Sequence, residues 1–421
     1  MNDVMKMIAG LDIGNGYVKG TIEVDGGEPS VVDFLSGVAI ETNSAGLKVK
    51  GNDILFEIDN IYNTMEASFD SPAVESRTSR LFGQRGVRSG KAMEEFDVAS
   101  TISKAQQDLS GILVLGSLAG KALQAFYEKH HTLPSEVVQV DARIAVALPI
   151  TEYKTQRKMY IEKFRGKRHM VSVHNFENTV RIEILVSDVQ VLAEGASAQY
   201  AIVSHGEPLM NALLEDLHAH GEALEGVTAA DILAAENTIG IDIGEGTVNF
   251  PVFQDGRFNP DVSITFGKGY GTILEQARER LQIMNMQYPS RKALADFMLS
   301  TPNALNKARR NRVQQVVVEE IEGFVQELCL QLRKVISRVG AYTEVVYVYG
   351  GGANPVKEQL YPALLNMMRQ FGGEDVSYPI LYLDSTYSRH LNREGLFIVA
   401  KEVAAQQAAQ AKKVQTAQSA Q

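Results

Sequence analysis

The chain has 421 residues, too many for one ordinary hydrophobic core, and this length favours two large domains or a duplicated unit. Its 45% of hydrophobic and 22% of charged residues are typical of globular proteins and exclude a collagen-like or largely disordered chain. A net charge of −10 argues against a general DNA-coating role, because neutralising phosphates needs a basic surface.

The cysteine and the apolar segments bear on the compartment. A single cysteine, Cys329, makes no internal disulfide and fits a reducing cytoplasm. Its neighbours, VQELCLQLRKVI, follow an amphipathic helical pattern, so we predict that Cys329 is buried and structural. We find no apolar run of the roughly 18 residues that cross a bilayer, and the N-terminus lacks the features of a signal peptide. We therefore expect a cytoplasmic protein with no membrane partner.

An internal repeat organises the chain. Residues 10–20 read GLDIGNGYVKG, and residues 240–250 read GIDIGEGTVNF. Each copy has an apolar strand, an aspartate near the strand end, a Gly-x-Gly turn and a second strand. This pattern predicts a β-hairpin whose glycines supply positive φ and close backbone approach. One such hairpin could be purely structural, but two distant copies, each with an aspartate, predict a duplicated domain.

The remaining segments are predicted as alternating strands and helices, which gives an α/β fold class. In chain order we predict an inserted small subdomain with strand-like pieces such as 53–58 (31–83), helix (92–131), a buried strand (143–148), two strands (170–191), a helix from 194, mainly helix (270–340), a strand (344–349), and a low-complexity Ala/Gln tail (404–421).

The two hairpins suggest phosphate and metal chemistry. Backbone N–H groups of the turns 14–16 and 244–246 can form anion-binding nests that hold a polyphosphate. Asp12 and Asp242 would repel phosphate, but each could hold a hydrated Mg²⁺, which prefers oxygen ligands and keeps several waters. We therefore predict Asp12 and Asp242 as metal residues that act through water.

A third glycine cluster spans Gly350 to Ala353, after the apolar strand and before a helix that we expect to begin after Pro355. Bare backbone at a strand end can lie against a flat or charged ligand, and the positive end of the helix dipole favours negative charge. An ordinary loop is the alternative for this cluster taken alone.

These three segments carry a family resemblance. LDIGNGYVK, IDIGEGTVNF and VYGGGANPV resemble, in order, the first phosphate, second phosphate and adenosine motifs of the actin, Hsp70 and sugar-kinase superfamily. The resemblance implies duplicated actin-like (ribonuclease H-like) domains with an interdomain nucleotide cleft, and ATP/ADP and Mg²⁺ as ligands. The implied domains are 1–194, 195–388 with a helical subdomain at 272–340, and a helix at 389–403 that returns to the first domain. The chain has neither a P-loop nor a G-x-G-x-x-G opening a helix, which argues against Walker-type and Rossmann domains.

The resemblance also implies individual roles. Glu194, in LAEGASA, corresponds to the residue that orients the attacking water and is predicted as catalytic together with Asp12 and Asp242; a carboxylate that stabilises a helix N-terminus is the alternative. Gly395 and Ala400 would permit close interdomain packing, although an ordinary buried helix remains open. The implied nucleotide-binding residues are Gly14, Asn15, Gly16, Lys19, Gly244, Glu245, Gly246, Thr247, Gly267, Lys268, Gly350, Gly351, Gly352 and Ala353.

Within the superfamily, Asn15, Gly16 and Lys19 look most like the plasmid-segregation actins of the ParM and Alp type. That resemblance implies an ATPase that forms head-to-tail filaments and moves plasmid DNA through an adaptor protein on a centromere-like site, without binding DNA directly. A sugar- or acetate-type kinase and a non-polymerising ATP-binding regulator are the alternatives. The basic cluster 307–312 is interpreted either as a contact for the acidic face of the next subunit or as a solvated helix face.

Overall fold

The computed structural model describes residues 4–42, 48–51, 53–96, 102–221, 224–301, 303–339, 343–372 and 379–419. The chain divides into two compact units. Unit 1 is Met1–Ala201 with Asn392–Gln421, and unit 2 is Ile202–Leu391. The α/β class is confirmed, because each unit is built on its own β-sheet with helices. The predicted domain boundaries at 194/195 and 388/389 stay predictions.

Unit 1 contains one sheet of ten strands in the described part of the chain, in the order β3-β2-β1-β8-β10-β9-β5-β6-β4-β7. The strands are β1 Met5–Ile13, β2 Tyr17–Val24, β3 Ser30–Leu35, β4 Val38–Glu41, β5 Glu66–Asp70, β6 Ser79–Phe82, β7 Met93–Glu94, β8 Val138–Leu148, β9 Lys167–Val173 and β10 Val180–Ala193. The helices are α1 Asp53–Asp59, α2 Ile61–Thr64, α3 Gly83–Arg88, α4 Asp108–His130 and α5 Ile150–Phe164. Strand β8 pairs in parallel with β1 and β10, and the other described pairings are antiparallel.

Strand β8 is covered on both faces, which explains its continuous apolar sequence. Successive strand residues point to opposite faces of a sheet. Ile144 and Val146 belong to the main core of unit 1, whereas Ala145 and Ala147 form a second buried cluster with residues of the C-terminal helix. The small alanines allow that helix to pack close to the sheet.

Helix α4 supplies much of the main core. By length and composition it is the one described helix that could cross a membrane, and 78% of its most apolar window is buried inside the protein. Helix was predicted over 92–131, and residues 108–130 of that range form α4. The expectation that no apolar run is long enough to cross a bilayer was wrong for this segment by length and composition. Its packing against β1, β8 and β10 accounts for its apolar composition.

Residues 53–58 are helical, so the strand-like interpretation of this segment was wrong. Ile54, Ile58 and Ile61 recur at spacings of four and three, which places them on one face of a helix, and Ile58 and Ile61 are buried. Asp53 in the first turn of α1 also favours a helix, because a carboxylate stabilises the positive end of the helix dipole. The predicted inserted segment is nevertheless part of the ten-stranded sheet through β3 to β6.

Unit 2 is built on a sheet of seven strands in the described residues, ordered β14-β13-β11-β12-β15, with β16 paired to β11 and β17 paired to β16. The strands are β11 Thr238–Ile243, β12 Val248–Phe250, β13 Val252–Gln254, β14 Arg257–Phe258, β15 Ile264–Phe266, β16 Val345–Tyr349 and β17 Ile380–Tyr382. The helices that follow β10 are α6 Ala196–Ala219, α7 Ala229–Leu233, α8 Tyr270–Ile283, α9 Arg291–Leu299, α10 Lys307–Val339, α11 Ala353–Gly372, α12 Ser385–Ser388 and α13 Leu391–Ser419.

The second strand of the predicted second hairpin is divided at Pro251. Strand β12 pairs with the end of β11, and β13 pairs with its beginning. Proline has no N–H to donate to the ladder, but its carbonyl accepts the Gly240 N–H at 2.8 Å. The single second strand that was predicted after the turn of this hairpin is therefore two short strands, β12 and β13.

Cys329 lies on α10 and is half-buried, so its predicted burial is only partly realised. Burial raises the pKa of its thiol, and the nearby Arg333 partly opposes that effect. The thiol is therefore less nucleophilic than an exposed cysteine at neutral pH.

Candidate functional site

The first hairpin of unit 1 closes tightly. Asp12 on β1 lies opposite Lys19 on β2, and the Gly14 N–H donates to the Tyr17 carbonyl at 3.0 Å. A Cβ added to Gly14 would lie 2.7 Å from the Tyr17 oxygen, so this position needs glycine for close approach. The four hairpin glycines, 14, 16, 244 and 246, are not among the described glycines with positive φ. The predicted need for positive φ in these turns was therefore wrong.

Ser36 holds the loop of this hairpin from one side. Its backbone N–H donates to the Gly16 carbonyl at 3.0 Å, and its buried hydroxyl donates to the Gly14 carbonyl at 2.6 Å. Both loop carbonyls are thereby directed towards Ser36. The sequence analysis missed this residue, because a single serine after β3 carries no pattern that links it to a loop 20 residues earlier.

Charged groups from four other segments surround Asp12. Burial raises the pKa of the Asp12 carboxyl and the Glu194 carboxylate adds to this rise, whereas Lys19, Lys104 and Arg393 oppose it. Lys19 comes from β2, Lys104 from the segment before α4, Glu194 from the turn after β10, and Arg393 from the first turn of α13. Unit 1 thus gathers two carboxylates and three cations at the end of its first hairpin.

Glu194 is held in place by its backbone and its side chain. Its N–H donates to the Leu148 carbonyl at 2.7 Å, and the next residue, Gly195, has φ +80, which turns the chain towards α6. The Lys104 ammonium donates to Glu194 Oε1 at 2.6 Å, with the two side chains only 6% and 13% exposed. A helix dipole alone does not account for this arrangement. Lys104 escaped the sequence analysis because it lies 90 residues away in an irregular segment.

The second hairpin, in unit 2, repeats the closure of the first. The Gly244 N–H donates to the Thr247 carbonyl at 2.9 Å, and Asp242 lies opposite Asn249. Asp242 is buried, and its charge adds to the burial that raises the pKa of Tyr349 on the neighbouring strand β16. Asn249 accepts a hydrogen bond from the Thr265 hydroxyl at 2.8 Å, which fixes its amide.

The predicted segment 267–272 packs directly on this second hairpin. The Tyr270 N–H donates to the Gly244 carbonyl at 3.0 Å, and the Gly271 N–H donates to the Glu245 carbonyl at 2.8 Å. A Cβ on Gly269 would lie 2.6 Å from the Gly244 oxygen, so only glycine fits there. Lys268, predicted as a nucleotide contact, forms an ion pair with Glu327 of α10 at 2.7 Å.

The predicted segment 350–353 contacts the same hairpin from another side. The Gly352 N–H donates to the Ile243 carbonyl at 2.8 Å. Gly350 has φ +100, and a Cβ there would lie 2.5 Å from Asp242 Oδ1. Helix α11 begins at Ala353, and not after Pro355 as expected. The N-termini of α8 and α11, which carry the positive ends of their dipoles, therefore both lie beside the second hairpin.

Comparison with known proteins identifies a fold of the kind that the glycine motifs predict. Residues 10–196 match the family model described as the N-terminal domain of actin like proteins. No curated protein matches the chain. Among solved structures it is similar to the actin-like protein Alp7A, with 15% identity and a TM-score of 0.64 over 97% of this chain and 99% of that one. The chain therefore has the fold of actin-like proteins.

Two further solved structures share the fold of this chain. One is ParM of Bacillus thuringiensis with ATP, with 15% identity and a TM-score of 0.57 over 95% of this chain and 99% of that one. The other is an archaeal actin homolog, with 12% identity and a TM-score of 0.58 over 95% and 100% of the two chains. The predicted resemblance to the actin superfamily, and to its ParM and Alp members, is confirmed at the level of the fold.

The described part of this chain has no group of three or more His, Cys, Asp or Glu residues that could hold a metal ion. A magnesium ion held through water and phosphate needs no such group. Two surface pockets, of about 570 and 540 Å³, lie elsewhere. One is lined by residues such as Lys6 and Arg143, the other by residues such as Asp255 and Arg257, and neither is lined by a predicted site residue.

The basic cluster 307–312 begins helix α10, and two of its arginines have structural contacts. Arg310 donates hydrogen bonds to the backbone carbonyls of Met298 and Ser300, which caps the end of α9. The Arg309 guanidinium lies 5.4 Å from the centre of the Tyr288 ring. The cluster is thus neither a simple solvated face nor wholly available to a partner.

Proposed function

We propose that this protein binds and hydrolyses Mg·ATP in the cytoplasm and polymerises into filaments that segregate plasmid DNA through an adaptor protein. One observation carries the proposal: each unit holds an Asp-x-Gly-x-Gly hairpin, and two further glycine segments pack on the hairpin of unit 2. Two phosphate-type turns and a bare-backbone strand end are a set of parts that suits a nucleotide.

The roles of the residues follow from their chemistry. Backbone N–H groups of both turns, with Lys19 as a point charge, would bind the phosphates. Asp12 and Asp242 would hold Mg²⁺ through water, and the bound ion would neutralise charge on the phosphate oxygens. The segments at Gly267 and Gly350 would lie against the nucleoside, where glycine leaves the backbone bare.

Hydrolysis also requires a group that orients the attacking water, and the candidate for this role lies in unit 1. Water attacks the γ-phosphorus while its bond to the β–γ bridging oxygen breaks, which yields ADP and inorganic phosphate, and the proton lost by water passes to phosphate or solvent. Glu194 would accept a hydrogen bond from the water and orient it for in-line attack. The turn N–H groups would stabilise the charge that develops on the phosphoryl oxygens.

The proposals of filament formation and plasmid transport rest on similarity to solved structures. The similar Bacillus thuringiensis structure is named as ParM with ATP, and another similar structure is named as a non-polymerisable ParM mutant. ATP would favour the assembling conformation and hydrolysis would disfavour it, which is a population shift. The net charge of −10 supports a link to DNA through an adaptor rather than by direct contact.

Phosphate release from Mg·ATP by the pure protein, with light scattering recorded in the same sample, tests this function. We expect release without any added sugar or acetate, together with a rise in scattering. Phosphoryl transfer that requires a sugar or acetate would instead identify a kinase. Nucleotide binding with neither release nor scattering would identify a regulatory protein, and either outcome would overturn the proposal.

A further inference from the structure

Lys104 is a buried cation that the proposed chemistry has not yet used. Its side chain is 6% exposed, and its ammonium lies 2.6 Å from Glu194 Oε1 and 5.2 Å from the centre of the Phe96 ring. It also acts electrostatically on Asp12. A buried ion pair adds little net stability to the fold, because the free energy lost by desolvating the two charges offsets most of their attraction. Stability alone is therefore a weak reason for a lysine at this position.

The segment that carries Lys104 is anchored to helix α5, whereas Glu194 follows strand β10. Both carboxylate oxygens of Glu152 on α5 accept backbone hydrogen bonds, one from the Lys104 N–H and one from the Ala105 N–H, each at 3.0 Å. The Lys163 ammonium of the same helix donates to the Ala105 carbonyl at 2.7 Å. Three contacts from α5 therefore fix the backbone from which the Lys104 side chain extends.

The two ends of the ion pair are thus held independently. Glu194 is fixed by its own N–H on the Leu148 carbonyl, and Lys104 is fixed by α5. A carboxylate at the end of a flexible side chain can rotate, but a short bond from a rigidly placed ammonium restricts both its position and its orientation. Such restriction is what a group that must orient a water molecule needs.

We infer that Lys104 is a positioning residue for Glu194, fixing the carboxylate that orients the attacking water. The inference rests on the proposed ATP hydrolysis. Lys104 acts through Glu194 and does not contact the nucleotide, so its loss should slow turnover while ATP binding is kept. Arginine at this position would keep the charge and a donor, and should restore part of the rate.

The test compares the steady-state rates of ATP hydrolysis of five proteins: wild type, Lys104→Met, Lys104→Arg, Glu194→Gln and the Lys104→Met/Glu194→Gln double variant. The rates are compared at equal extents of filament assembly, which light scattering monitors. We expect Lys104→Met to lower kcat by about 10- to 100-fold with KM for ATP nearly unchanged, as loss of an orienting partner does. Lys104→Arg should recover part of this loss. The double variant should be no slower than Glu194→Gln, because a residue that acts only through Glu194 has nothing left to position.

Arg85→Met is the matched control. Arg85 pairs with the buried Glu66 at 2.6 Å, at the same distance as the Lys104 pair, but outside the Asp12 cluster. It should lower thermal stability without changing kcat. If Lys104→Met does not fold, Glu152→Gln takes its place, because it loosens the anchored segment while both members of the ion pair remain, and it should lower kcat in the same direction.

Three results would overturn the inference alone: a wild-type kcat in Lys104→Met, a raised KM with unchanged kcat, or an equal further loss in the Glu194→Gln background. The second would mean that Lys104 binds nucleotide directly. Absence of phosphate release by wild-type protein is a different result, which would overturn the proposed function and this inference with it.

Discussion

Asp12 lies where opposing electrostatic effects meet, since burial and Glu194 raise the pKa of its carboxyl and three cations lower it. Across the strands, Lys19 lies between Asp12 on β1 and Asp33 on β3. A carboxylate in such surroundings is held firmly, and a lysine that lies across from two carboxylates is held close to the turn. Both features suit the end of a hairpin that would face phosphate and a divalent ion.

Removing the aspartates tests this part of the site. Asp12→Ala and Asp242→Ala should each lower Mg²⁺-dependent phosphate release on the order of 100-fold or more, because the charge that holds the ion is lost. Asp70→Ala serves as the control, since Asp70 forms an exposed ion pair with Arg77 that contributes little. Hydrolysis at the wild-type rate in both site variants would refute the assigned roles.

His169 provides a prediction for stability against pH. Burial lowers the pKa of its ring to about 4, while its hydrogen bond to the Phe164 carbonyl partly opposes the shift and Lys167 adds to it. The unfolded chain, with a pKa near 6.5, therefore binds protons that the folded chain does not, so stability is lost as pH falls from 6.5 towards 4. The loss from this residue is at most about 3 kcal/mol.

Urea denaturation of wild type and His169→Gln at pH 7, 5.5 and 4.5 measures this loss. Carboxylates contribute to the slope in both proteins, so the difference between the two slopes isolates the histidine. We expect a shallower fall for His169→Gln. Equal slopes would show that His169 can be protonated in the folded protein without cost.

At the scale of elements, helix α13 packs unusually close to its neighbours in unit 1. A Cβ on Gly395 would lie 1.8 Å from the Ser197 carbonyl oxygen, and a Cβ on Gly10 would lie 2.2 Å from the Phe397 nitrogen. Close packing of Gly395 on α6 and of Ala400 on β8 is thus observed within unit 1, whereas the predicted role of these residues in packing between domains stays a prediction.

Two glycine-to-alanine changes inside helices separate packing from helix propensity. Gly395→Ala should destabilise unit 1 by about 1–3 kcal/mol, because backbone atoms must move to admit the methyl group. Gly323→Ala, on the exposed face of α10 with open space around it, should stabilise by about 0.5–1 kcal/mol. Denaturant midpoints of the two variants measure this difference, and equal midpoints would contradict the close contact at Ser197.

Most of the long helices and strands could be predicted from the sequence, and two short segments could not. The repeated hairpins, the strand at 143–148 and the helices over 270–340 follow from apolar periodicity and turn residues. The interpretation of 53–58 failed because six residues are too few to separate two periodicities, and β12 and β13 were merged because one proline sat inside an apolar run. Both failures concern short segments whose structure is decided by tertiary contacts.

At the scale of the whole molecule, the motif residues could be predicted because glycine turns and aspartates carry local patterns. Ser36, Lys104 and Arg393 could not, because single polar residues from distant segments meet at Asp12 or its loop only after folding. The match of residues 10–196 to an actin-like N-terminal domain and the similarity to Alp7A over nearly the whole chain place the fold. What the fold is used for depends on whether ATP controls assembly.

Electron microscopy of the pure protein with Mg·ATP or a slowly hydrolysed analogue, beside Asp12→Ala under the same conditions, tests this central claim most directly. The account predicts filaments for the wild-type protein with either nucleotide and dispersed particles for the variant. Dispersed wild-type monomers at high concentration with nucleotide bound would contradict it, because a nucleotide that occupies the site without driving assembly cannot serve a filament.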